Sequence, residues 1–80
     1  MSERTANMGL RVELRQKRGL IEAEISSYRE SLRGHLSLLA GPGELDGERV
    51  LHLAIALREK LDEWRGLTRQ IDILSRELGE

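Results

Sequence analysis

The chain contains no cysteine and no phenylalanine, and only one proline, one tryptophan and one tyrosine. Each shortage excludes something. Without cysteine there is no disulfide to staple a small fold and no thiolate site for zinc. With Trp64 and Tyr28 as the whole aromatic content, a stacking platform for bases is excluded. No apolar run approaches the length needed to span a membrane. The opening Met-Ser-Glu-Arg-Thr is polar with no hydrophobic core behind it, so no signal peptide is expected and the expected address is the cytoplasm. Charge of one sign is also lacking. Lys and Arg number 13 against 14 Asp and Glu, for a net charge of -1. Residues 1–40 carry 7 basic and 5 acidic side chains, or +2, and residues 41–80 carry 6 and 9, or -3. Neither half has the basic excess of a nucleic-acid footprint, so nucleic acid is not an expected partner.

What is present is charge and helical periodicity. Charged residues make up 34% of the chain, a composition that fits long exposed helices or a coiled coil. Eighty residues make one small domain, and a chain this short buries too little of its surface to be more than marginal alone.

The single proline sits mid-chain in Gly41-Pro42-Gly43, which cannot continue a helix. Asp46 then has the position of an N-cap, worth about 1 kcal/mol. Leu45 before it and Val50 at the fourth helical position have hydrophobic-staple spacing. Glu48 in the first turn suits the helix dipole. The loop, residues 40–46, is therefore expected to fold the chain back as an αα-hairpin.

The pattern predicts helix one from about Met8 to Leu39, with Thr5 or Asn7 as cap and residues 1–7 frayed. One seven-residue row is Leu14, Ile21, Tyr28, His35; the other is Arg11, Arg18, Ile25, Leu32, Leu39. Because the second row begins with arginines, burial is expected to weaken towards the N-terminus. Glycines at 9, 19 and 34 cost roughly 1 kcal/mol each against alanine, so helix one is expected to be the weaker, with Gly19 and Gly34 as places to bend. Helix two is expected over about Gly47 to Leu78, stopped by Gly79. Its seam is Val50, Leu57, Trp64, Ile71, Leu78, with Leu53, Lys60, Leu67 and Leu74 in the second row. A heptad of this kind favours a left-handed antiparallel pairing. Partner positions should sum to roughly 88–90, placing Val50 by Leu39, Leu57 by Leu32, Trp64 by Ile25, Lys60 by Tyr28 and Ile71 by Arg18. Leu51 to Leu57 is almost continuously apolar, wider than one partner helix can cover. A second copy, completing a four-helix bundle, or another protein is needed to cover the rest.

These residues carry a resemblance. Ile25, Arg29 and Leu32 in helix one, Gly43, Leu45 and Asp46 in the turn, and Val50, Leu53, Leu57, Leu61 and Trp64 in helix two match the pattern of a known family. Over about residues 21–65 the chain resembles the stage-zero sporulation regulators, small helical-hairpin aspartyl-phosphate phosphatases that act on response regulators. The resemblance implies a receiver domain as partner and Leu53, Ala54, Ile55, Ala56, Leu57 and Arg58 as the face that meets it. Where the family has Ser-Gln-Glu-Leu-Asp, this chain has Ala54-Ile55-Ala56-Leu57-Arg58. Alanine and isoleucine cannot hold an attacking water in line, which argues against phosphatase activity. Arg58 can still bind phosphoryl oxygens or acidic groups. Glu59, Asp62 and Glu63, one turn along, are the remaining candidates for hydrolysis, and no catalytic residue is assigned. The alternative is a coiled-coil assembly or adaptor module without chemistry. No cofactor is implied. His35 and His52 fall near one level of the hairpin, but two histidines without a third ligand make no metal site. Arg11, Arg15, Lys17 and Arg18 are expected to form a solvated basic face.

Overall fold

Asp46 caps a helix as its position requires. In the computed structural model, which describes residues 3–79, the Asp46 Oδ1 accepts the backbone N–H of Arg49 at 3.0 Å. The helix it opens, α2, runs Gly47–Glu77. Leu78 donates its N–H to Leu74 at 3.0 Å, and Gly79, at φ +79, donates to Arg76 at 3.1 Å. That left-handed φ is the conformation a terminal glycine adopts without strain. Ahead of the cap, Pro42–Glu44 forms a single 3-10 turn with proline at its start, where the missing N–H is not needed.

The first helix, α1, spans Glu3–His35. It begins more than a turn earlier than the apolar pattern predicts and ends one turn sooner. Thr5 and Asn7 lie inside it rather than capping it, and it runs on through Gly9, Gly19 and Gly34. Of the residues expected to fray, Met1 and Ser2 lie outside the described residues. The early stop has a local cause. After the last helical bond, Leu36 N–H to Leu32 at 2.9 Å, Ser37 takes over: its Oγ accepts the Leu39 N–H at 3.3 Å and its carbonyl accepts the Ala40 N–H at 3.1 Å. A serine bonding the backbone two residues on competes with helix continuation.

α1 and α2 pack against each other as an antiparallel hairpin, with no strand among the described residues. The result is a rod of 61 × 18 × 14 Å. Its radius of gyration is 18.0 Å, where a compact chain of this length would have ~12 Å.

Losing the last turn of α1 lengthens the loop and slides the pairing. Lys60 meets Glu24, one turn before Tyr28. Arg18 bonds Thr68, not the level of Ile71, and Arg4 bonds the Leu78 carbonyl. Trp64 and Ile25 do line a common groove. Leu39, expected beside Val50, is outside the helix altogether.

Burial also runs opposite to expectation. Among the described residues the buried apolar ones are Ile21, Leu53, Leu67, Ile71, Leu74 and Leu78, so four of the six lie at the open end, three in the last turns of α2 and Leu78 just after it. Facing them on α1 is the arginine row, extended by Arg4 to Arg4, Arg11, Arg18 at seven-residue spacing. Arg11 is only 8% exposed. Arg4 donates to the Leu78 carbonyl at 3.1 Å, and Arg18 to the Thr68 Oγ1 at 3.2 Å. An arginine stem is apolar and its head can bond at the edge of the seam, so the buried Arg11 and half-buried Arg18 take places leucines would fill, and the exposed Arg4 bonds at the edge.

Two substitution pairs test this seam by urea denaturation at one fixed protein concentration. Ile71→Ala should cost about 2–5 kcal/mol, whereas the outward-facing Leu20→Ala should stay within about 0.5 kcal/mol. Arg18→Ala should cost about 1 kcal/mol through its lost hydrogen bond and stem packing, while the exposed Arg15→Ala should leave the midpoint nearly unchanged.

Candidate functional surface

The six positions implied as a partner-binding face divide between inside and outside. Leu53 is turned into the hairpin and buried, and Ala56 and Leu57 are half-buried. Ala54, Ile55 and Arg58 are exposed. Leu51 joins them: it is 58% exposed and Ile55 47%. Residues four apart share a helix face, and Arg58 follows Ile55 by three. The first three turns of α2 therefore carry a short apolar ridge with a guanidinium at its end. α1 cannot cover it, because α1 occupies the Leu53 side.

The loop adds a second apolar area that periodicity did not anticipate. Leu36, Leu38, Leu39 and Leu45 are all exposed, with Leu38 at 101% and Leu39 at 97%. The signal in the sequence was Ser37, whose side chain sets the turn that takes Leu39 out of the helical stripe.

The charged candidates are distributed along the outer side of α2. Asp62 pairs with Arg65 at 3.6 Å. Glu63 reaches Lys60 at 3.6 Å, and Lys60 reaches across to Glu24 at 3.0 Å. Glu59 and Arg58 are exposed. The hydrogen bond that the Lys60 ammonium donates to the Glu24 carboxylate, with help from the charges of Glu24 and Glu63, holds its pKa above the ordinary lysine value although burial opposes it.

The supposed basic face is split. Arg11 and Arg18 belong to the helix–helix seam, leaving Arg15 and Lys17 as its exposed members. His35 and His52 are both exposed, and among the described residues no group of three or more His, Cys, Asp or Glu side chains is placed to hold a metal ion. Among those residues, too, no helix is long and apolar enough to cross a membrane.

Several positions that carry the family resemblance do come together. Ile25 and Arg29 from α1 and Leu61 and Trp64 from α2 line one shallow groove along the rod. Comparison with known protein families, curated proteins and solved structures finds no match to this chain.

The Lys60 pair makes a pH prediction. Its folded pKa is raised, so its contribution is complete below the ordinary value of 10.5 and is lost as pH rises through the folded value. The stability difference between the native chain and Lys60→Met should thus be steady around neutral pH. Above 10.5 it should shift in favour of the methionine variant, as followed by urea denaturation at each pH.

Proposed function

We propose that this hairpin is a small regulatory protein that docks onto the receiver domain of a two-component response regulator. The docking surface is the outward side of Leu51, Ala54, Ile55 and Arg58. The observation that carries the reading is the open apolar ridge on α2, which the hairpin's own first helix, α1, leaves uncovered. Exposed apolar residues grouped on one face usually mark a contact. The choice of partner rests on the resemblance alone. A receiver's phosphorylation site is acidic, and Arg58 offers a planar guanidinium that pairs with carboxylate or phosphoryl oxygens.

The chemistry expected of this surface is binding rather than hydrolysis. Ala54, Ile55, Ala56 and Leu57 present no side-chain group that hydrogen-bonds an attacking water. The protein would then sequester the regulator or shield its phosphate.

A second reading is favoured by the form of the rod. Six buried apolar residues among those described are a small core, and two further apolar areas stand open. Self-association into a four-helix bundle would cover some of that surface and make the hairpin an assembly module.

One experiment separates the two. A phosphorylated receiver domain is mixed with the protein, and complex formation and loss of aspartyl phosphate are followed together. Docking predicts a complex with the phosphate lifetime unshortened, and Ile55→Asp should abolish the complex while leaving helicity intact. Faster phosphate loss would instead make the protein a phosphatase and direct substitution to Glu59, Asp62 and Glu63. Absence of a complex with a cognate receiver would leave the assembly module.

A further inference from the structure

The two ends of the rod differ in charge, which the linear order of the chain hides because each helix contributes to both ends. A plane across the rod passes between Arg18 and Gly19 on α1 and between Trp64 and Arg65 on α2. The open end, residues 3–18 and 65–79, then carries 8 basic and 4 acidic side chains, or +4. The loop end, residues 19–64, carries 5 basic and 9 acidic, or -4. The ends differ in shape as well. At the acidic loop end Leu38 and Leu39 stand almost wholly free of the hairpin. At the basic open end Leu10, Leu14, Gln70, Ile73 and Leu74 line an apolar groove between the helices.

We propose that two copies lie side by side and antiparallel, each loop end against the other's open end. Leu38 and Leu39 of each copy enter the groove beside Leu10 and Ile73 of the other. Antiparallel order sets +4 against -4 at both ends, whereas parallel order would set like charge against like. Two-fold symmetry fills both grooves with both knobs, so association stops at two; the same contact made end to end would leave one of each unfilled and grow a filament. A rod 61 Å long and 18 Å wide offers a lateral face of sufficient size, since a standard interface needs roughly 800 Å² per partner. The inference rests on the self-association named as the second reading and adds its orientation and contacts. It leaves Ile55 and Arg58 outside the knob and groove and is independent of receiver docking.

The test begins with molar mass by light scattering, expected at twice the 9.1 kDa of the chain. Leu38→Ser combined with Leu39→Ser should give the single-chain mass with helicity unchanged, because neither side chain is packed within its own hairpin. Raising the salt should weaken the pair about tenfold or more, as screened end charges require. Orientation is read from two single-cysteine variants, Gly9→Cys and Gly43→Cys, at positions where an added Cβ meets open space in a chain with no cysteine of its own. Mixed and treated with a flexible bis-maleimide, they should cross-link to each other and not to themselves. Single-chain mass for the native protein would overturn both the arrangement and the assembly reading. A dimer that cross-links like to like, ignores salt or survives the double serine substitution would overturn this arrangement alone. Mass that grows beyond two copies with concentration would replace the closed pair by a filament.

Discussion

Two helices alone share a single narrow seam, and everything else in this protein follows from how that seam is filled. Seven-residue spacing keeps Leu53, Leu67, Ile71, Leu74 and Leu78 on the side of α2 that faces α1. On the other side of the seam, three of the heptad positions are arginines. Their stems supply apolar volume, and the heads of Arg18 and Arg4 reach Thr68 and the Leu78 carbonyl. A charged group half-removed from water needs such partners, because an unsatisfied one would cost several kcal/mol. The arginine row therefore ties the free end of the hairpin, where two helix ends would otherwise splay, and gives it the densest burial in the molecule.

The loop imposes the second constraint. A helix that ends at His35 leaves a connection long enough to hold a serine turn, a 3-10 turn and the Asp46 cap in succession. Each satisfies backbone groups locally, so the loop closes without borrowing core residues. The consequence is a set of leucines with nowhere to go. Periodicity placed Leu39 on a buried row, and one lost turn leaves it exposed together with Leu36 and Leu38. The register shift that follows brings Lys60 to Glu24, converting a polar break in the seam into a cross-helix ion pair. Such a pair adds little stability at the surface, but it makes that level of the seam polar without leaving a bare charge.

The surplus of uncovered apolar surface is what connects structure to function here. A hairpin with so small a core gains more from a partner than a globular domain of equal size would. The ridge of Leu51 and Ile55 and the loop leucines lie on different parts of the rod, so a receiver domain and a second copy need not compete for the same residues. From Ala54 to Leu57 no side chain carries an acid, amide or hydroxyl, which is why the proposed docking is one of binding and not of hydrolysis.

By itself the sequence determined the two-helix hairpin, the position of the turn, the Asp46 cap, the glycine stop at residue 79 and most of the α2 seam. These are short-range matters: capping, proline geometry and the 3.6-residue repeat act within a few residues and leave their marks in composition and spacing. That the stretch Leu51 to Leu57 is too apolar for one partner helix was legible too, but which of its residues turn outward was not. Only the tertiary structure decided the register, the burial of Arg11 within the arginine row and the segregation of charge along the rod. An arginine is polar by type and apolar along its stem, so its burial depends on whether a facing residue can take its head. Register depends on where α1 ends, a contest between one more helical turn and the hydrogen bonds of Ser37 that no apolar pattern records. The charge separation arises only when the chain folds back, since it sums residues far apart in sequence at one end of a rod.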